Sequence, residues 1–344
     1  MRVSDNASLA PLTTLRLGGP ARRLVTAERE AELVDIVREV DRRSEKLLVI
    51  GGGSNLVVSD DGFDGTVVRI GTRGRVVDGD EVTVQAGEPW DDLVGSLVDD
   101  GLAGVECLAG IPGLAGATPM QNVGAYGQDV SETIVRLRAL DRERGEVVTF
   151  DKAACHFAYR NSVFRGRDRH VILDVTFRLE RSRTSKPIRY GELAKALAVG
   201  EGATAPLAEV RSTIVELRRK KGMVLDPSDS DTTSAGSFFT NPIVTAEDLE
   251  RVRARWEGPP MPVFAESDGR SKLSAGWLIE NAGFKKGLTL GRVAVSSKHA
   301  LALTNRGGAT TKDLVALARQ IRAGVFARFG VMLENEPVFV GVAL

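Results

Sequence analysis

The spacing of apolar positions changes several times along the chain, and each change predicts an element. Leu33, Ile36, Val37 and Val40 recur at helical spacing, which predicts a helix with Thr26 as its N-cap. The continuous apolar run at 47–50 predicts a short buried strand that runs into GGGSN at 51–55, and the sequence at 56–70 reads as further strand. EVTVQAG at 81–87 alternates as a half-buried strand, and 90–100 reads as a helix stopped at Gly101. VRLRAL, EVVTF and HVILDVTFRL then resume β alternation between 135 and 179. Leu207, Val210, Ile214 and Leu217 predict a helix that ends in a basic run, 218–221, with Gly222 at C′. Basic residues there complement the negative end of the helix dipole. The polar, small-residued stretch that follows Gly222 predicts a boundary into a last domain. That domain reads as a helix starting near Thr245 with Asp248 three residues on, a short helix in SAGWLIENAG and a strand in ALALTN. A long helix over 310–329, with Leu314, Leu317, Ile321 and Val325 on its core face, and a closing strand in VMLENEPVFVGV complete it. The pattern is α+β, without internal repeats or low-complexity tracts.

Composition narrows the function classes. A chain of 344 residues exceeds a single domain of about 150 residues. Lys plus Arg and Asp plus Glu both number 46, so nothing draws the whole chain to a polyanion; neither nucleic acid nor a membrane surface is expected as a partner. Two distant cysteines, Cys107 and Cys155, and three histidines leave no material for a zinc site or a disulfide framework. The N-terminal stretch lacks a signal-peptide core and no apolar run reaches membrane-spanning length, so a cytoplasmic location is expected.

Glycine stands out, at 37 residues, where a chain of this length averages about 7%. Two segments concentrate it. GGGSN leads into β-rich sequence and not into a helix, so it is no Rossmann fingerprint; it is either a tight turn or a nest of N–H groups for phosphate. The stretch 106–130 carries Gly110, Gly113, Gly116, Gly124 and Gly127, two prolines and only two ionised residues, Glu106 and Asp129. That suits a loop pressed against a ligand better than a solvated one. No GxSxG, HExxH or GxxxxGK[ST] motif is present. The isolated polar residues Arg160, Ser237 and Glu336 remain, each with an ordinary alternative: a surface ion pair, a packing serine, a solvated strand carboxylate.

Taken together, LTTLRLGGPA, GGGSNLVV, AGIPGLAGATPMQNVGAYG, YRNSVF, SAGSFFTNP and LENEPVF resemble, in order and over nearly the whole chain, the UDP-N-acetylenolpyruvoylglucosamine reductases. RYGELAKAL, around Tyr190, resembles the subtype with an extra tyrosine-bearing loop. The resemblance implies a two-part FAD-binding region of the non-Rossmann, vanillyl-alcohol-oxidase-like (PCMH) kind. Its subdomains would span 1–70 and 71–222, followed by a substrate-binding domain at 223–330 and a C-terminal strand at 331–344 that carries Glu336. It implies a flavoprotein oxidoreductase of cell-wall peptidoglycan precursor synthesis, serving cell shape and division, that takes hydride from NADPH through non-covalent FAD to the enolpyruvyl double bond of a UDP-sugar. NADPH and the UDP-sugar would be the partners of a monomer. An FAD oxidase or dehydrogenase of the same fold, or a nucleotide-binding module without turnover, are the alternatives.

By motif position the resemblance makes Ser237 the general acid at the α-carbon, Arg160 the cation beside the substrate carboxylate, and Glu336 the carboxyl group that helps polarise it, best served protonated. It places FAD against Gly51, Gly52, Gly53, Ser54 and Asn55. A second group of FAD contacts would be Gly110, Ile111, Pro112, Gly113, Gly116, Ala117, Gln121, Asn122, Gly124, Ala125 and Tyr126. The UDP-sugar would meet Tyr159, Tyr190, Lys221, Asn241 and Lys286, with Lys220 left open as the alternative to Lys221. Asn161 and Arg165 stand where Asp and Lys are common in the family, and His299 where glutamine is, so His299 is left out of the site. Cys155 and His156 are considered as covalent flavin attachment points and set aside, because the family holds FAD non-covalently.

Overall fold

The computed structural model describes residues 1–266 and 268–344. Two compact units emerge: one of residues 1–7, 21–53 and 64–220, the other of 8–20, 54–63 and 221–344. Residues 8–20 and 54–63 therefore belong with the C-terminal part of the chain, where the sequence placed them in an N-terminal subdomain at 1–70.

The first unit has two larger sheets. In the smaller, the strands run in the order Arg2–Ser8, Pro20–Ala27, Phe63–Ile70, Leu47–Ile50, with the last pair parallel. The larger is antiparallel, in the order Glu146–Asp151, Ile134–Asp141, His170–Arg178, Glu81–Gln85, Arg75–Asp78. Its central strand, HVILDVTFR, is apolar on both faces and buried nearly throughout, while the edge strand at 75–78 is exposed. Helix Glu30–Arg42 covers the smaller sheet with Leu33, Val34, Ile36, Val37 and Val40, as its spacing predicts. Its N-cap is Arg29, with Glu32 reaching back to the Arg29 N–H, and Thr26 lies inside the preceding strand. The misplaced start has a plain cause: Val25 and Ala27 alternate at period 2, and the helical period begins only after them.

The second unit is built on helix Thr311–Phe329 against the sheet Ser234–Ser237, Ala302–Asn305, Val293–Val295, Thr289–Leu290. A three-stranded sheet, Ile243–Val244, Ser271–Leu273, Val263–Ala265, accompanies it. Thr310 and Asp313 form a capping box, and the Asp60 carboxylate accepts the next two free N–H groups, from Thr311 at 2.7 Å and Lys312 at 3.0 Å. Helix Ala246–Arg253 starts at Thr245, whose hydroxyl accepts the Asp248 N–H, as its sequence predicts. The closing strand is shorter than expected. Only Val338–Val340 forms a ladder, parallel to Leu56–Val58, because Pro337 has no N–H to donate.

Candidate active site

In the first unit, strand Leu47–Ile50 delivers the glycines directly onto the other glycine-rich segment. A Cβ on Gly52 would lie 2.9 Å from Gly113 Cα, and one on Gly51 would lie 3.3 Å from Leu114 Cδ1. The two backbones thus touch without side chains between them, and residues 51–52 and 111–114 stay partly exposed along the seam. Bare backbone at an accessible junction fits a ligand that binds by main-chain groups, as a dinucleotide pyrophosphate does. Gly116 plays a different part. It is buried, its N–H donates to Ala86 O at 2.9 Å, and a Cβ there would meet Ala86 Cβ at 2.4 Å, so its smallness serves packing. Ala117 is exposed beside it.

Further along, Gly124–Ala125 and Gln128–Asp129 form a minimal hairpin turned by Tyr126 and Gly127, both left-handed at φ +49° and +80°. Arg160 meets this hairpin. Ala158 and Asn161 exchange both backbone hydrogen bonds, at 3.0 and 3.1 Å, which puts Tyr159 and Arg160 at the tip of a tight turn with Arg160 at φ +50°. The Arg160 guanidinium donates to Gly124 O at 2.6 Å and lies 5.5 Å over the Tyr159 ring. Asn122 fixes the turn by donating to Ala158 O at 3.1 Å, and Ser162 Oγ donates to Met120 O at 2.7 Å. Three non-glycine residues in left-handed backbone, Asn122, Tyr126 and Arg160, cluster here, a concentration of strain common at functional loops. Asn161 closes the turn through its main chain, so an Asn in place of an Asp leaves the turn intact.

Tyr190 reaches the same hairpin: its ring stands edge-on to Tyr126 at 5.4 Å, and both Tyr190 and Tyr159 keep about two fifths of their surface exposed. The sequence reading missed Arg218. It is only 9% exposed, and that burial lowers its pKa against the opposing fields of Tyr126 and Asp91. The signal was available, since Leu207, Val210, Ile214 and Arg218 are the helix's buried stripe, and a cation in that register is not a surface dipole partner.

The second unit holds Ser237 and Glu336. Ser237 ends strand Ser234–Ser237, whose pairing with Ala302–Asn305 slips between Ser234 and Ser237. Gly236, at φ +72° in open space, makes this bulge and re-aims the serine. On the other side, Glu336 N donates to Phe238 O at 2.9 Å and Thr240 N to Glu334 O at 3.0 Å, so Glu336 stands opposite the residue that follows Ser237. Asn55 braces the segment that carries Glu336: its Nδ2 donates to Glu336 O at 3.3 Å, and Val338 N donates to Asn55 O at 2.9 Å. Ser54 is half-buried beside it. Asn241 is oriented by accepting the Ala275 N–H at 2.9 Å, which leaves its amide NH₂ as the donor end. Lys221 is half-buried, whereas Lys220, in the first unit, is exposed 3.8 Å from Glu216; Lys286 is exposed. Among the described residues no group of three or more His, Cys, Asp or Glu could hold a metal, and no helix is long and apolar enough to cross a membrane. Cys155 is fully buried, donates to Asp151 O, and burial pushes its thiol up to about 12, the opposite of a reactive attachment point.

Comparison with known proteins agrees with this geometry. Residues 21–151 match the FAD binding domain family, and residues 226–340 match the UDP-N-acetylenolpyruvoylglucosamine reductase C-terminal domain. The UDP-N-acetylenolpyruvoylglucosamine reductase of Thermobifida fusca is 54% identical over 98% of both chains, and that of Streptomyces coelicolor 56% identical over 98% of this chain and 90% of its own. The crystal structure of the Thermus caldophilus reductase superposes with a TM-score of 0.69 at 25% identity, covering 99% of each chain. By sequence, fold and the order of its motifs, the chain belongs to the UDP-N-acetylenolpyruvoylglucosamine reductase family.

Proposed function

We propose that the chain reduces the enolpyruvyl double bond of UDP-N-acetylglucosamine-enolpyruvate to give UDP-N-acetylmuramate, in the cytoplasm, with NADPH as reductant. FAD, bound non-covalently, supplies the hydride chemistry. The residues at 51–53 and 111–113 would hold it through main-chain groups, with Gly110 and 121–126 alongside. The contacts proposed for the UDP-sugar are Lys221, Asn241 and Lys286 of the second unit and Tyr159 and Tyr190 of the first.

The protein's share of the chemistry is charge and proton placement. When the β-carbon of the substrate gains hydride, its electron pair moves toward the α-carbon and carboxylate, and a bare carboxylate is a poor electron sink. Arg160, held at Gly124, places a positive charge for that carboxylate, and Glu336 adds a hydrogen-bond donor in its protonated form. Ser237 delivers a proton to the α-carbon; a hydroxyl suffices because the carbanion-like centre is strongly basic. The observation that carries the reading is the bulge at Gly236. The backbone is open around Gly236, next to Ser237, and Glu336 N donates to the O of the neighbouring Phe238.

Anaerobic stopped-flow absorbance tests it. Bleaching of the flavin by NADPH, then recovery on adding the enolpyruvyl UDP-sugar, is the expected result. Recovery only with oxygen identifies an oxidase instead, and a colourless protein that takes up no FAD leaves a nucleotide-binding module.

A further inference from the structure

Asp91 opens helix Trp90–Asp99, and its sequence position suggests nothing more than an acidic first turn. The structure uses it otherwise. Trp90 and Asp91 together grip the glycine-rich segment at three points. Trp90 Nε1 donates to Leu108 O at 3.0 Å, Trp90 N donates to Gly113 O at 3.0 Å, and Asp91 Oδ1 accepts the Gly110 N–H at 2.6 Å. Gly110 is left-handed at φ +70°, so this single bond fixes the backbone where it reverses toward the Gly52 seam. Behind Asp91 lies Arg211, with Nη2 3.7 Å from Asp91 Oδ1. Its guanidinium rests on Gly95, one helical turn from Asp91, where an added Cβ would come within 3.0 Å of Nη2 and 3.3 Å of Cζ. Gly95 is thus a notch cut into a helix interior, where glycine is otherwise unfavourable, and it admits the cation that neutralises Asp91. Asp92, the next residue, is equally acidic and equally near the helix start, but is exposed and has no part in the grip.

We propose that Asp91, backed by Arg211 in the Gly95 notch, is a positioning residue for flavin binding: it presets the loop at 110–113 in the shape that receives the cofactor. The assignment rests on the reading of that loop as a flavin contact. The test is the FAD dissociation constant of the apo chain, from flavin fluorescence quenching, together with the bound-flavin absorbance spectrum and the apo melting temperature. Asp91→Ala should weaken FAD binding about tenfold or more, the range expected for losing a hydrogen bond to a charged group, and should shift the bound spectrum. Asp91→Asn keeps an acceptor for Gly110 and should fall between Asp91→Ala and the parent. Asp92→Ala removes the same helix-dipole charge and should stay within about twofold. Equal effects of Asp91→Ala and Asp92→Ala, or a lowered apo melting temperature with an unchanged dissociation constant, would overturn the assignment. If Asp91→Ala does not fold, an Asp91→Asn protein that binds FAD as the parent does overturns it equally. A parent chain that binds no FAD refutes the flavin reading itself, an outcome distinct from all of these.

Discussion

Gly116 in the first unit and Gly236 in the second both lie in glycine-bearing stretches that resemble family motifs, yet they are glycine for opposite reasons. Gly116 is walled in: Ala86 Cβ would stand 2.4 Å and Ala86 Cα 2.8 Å from any added Cβ. Gly236 has nothing within 4 Å of that position and is glycine for its φ of +72° alone. One region is a loop pinned to its scaffold, where side-chain size is forbidden; the other is an open bulge, where only the backbone angle is prescribed. A glycine excess is therefore two signals, and substitution separates them.

The largest effect belongs to the open region. Ser237→Ala removes only a hydroxyl, yet should slow flavin reoxidation by the UDP-sugar about 10²- to 10⁴-fold, the usual worth of a positioned proton donor, while flavin reduction by NADPH stays near normal. Stopped-flow traces of the two half-reactions check it; equal losses in both would make Ser237 structural and erase the contrast with the pinned loop. Glu336→Gln should damage the same half-reaction only.

Gly116→Ala tests the pinned region. The Ala86 backbone cannot yield as a flexible side chain would, so overpacking should cost about 1–3 kcal/mol of stability, measured by urea unfolding of the apo chain. Gly236→Ala should cost about 1–2 kcal/mol, through the left-handed backbone alone. A larger loss at 236 than at 116 would reverse the comparison.

The same division explains what the sequence revealed. Local chemistry was legible: the Thr245 cap, the Leu33 to Val40 stripe and the strand at 170–178 follow from period and capping. Motif order carried Arg160, Ser237 and Glu336, and the structure supplies the reason Ser237 and Glu336 share one neighbourhood. The grip of Asp91 on Gly110 was not legible, because a contact across 19 positions leaves no periodic trace. Arg218 was legible and misread: the basic run at 218–221 hid that its first member sits in the buried register of the helix. Thr26 failed because a good cap residue stood inside a strand whose alternation was too short to see.

The smallest effect, and the sharpest discriminator, comes from Cys107. It sits on the turn Glu106–Leu108 at the foot of the pinned loop, with its N–H bonded to Gln128 Oε1 at 3.0 Å. Burial first, and then the neighbouring Glu106 charge, push its thiol up to about 12 from an ordinary 9.0. Since the thiolate is the reactive form, the folded protein should resist a thiol reagent at pH 8. Gly116→Ala should expose Cys107 to labelling, whereas Gly236→Ala should not. The same shift makes stability depend on alkaline pH. The folded pKa lies above the unfolded one, so the unfolded chain releases the thiol proton first, and the contribution is complete below pH 9 and disappears as pH rises toward 12. Cys155, also raised to about 12, adds a second proton in the same window. Replacing both cysteines with alanine should therefore flatten the decline of the urea midpoint between pH 9 and 11 relative to the parent, and an unchanged slope would show that neither thiol is held protonated by the fold.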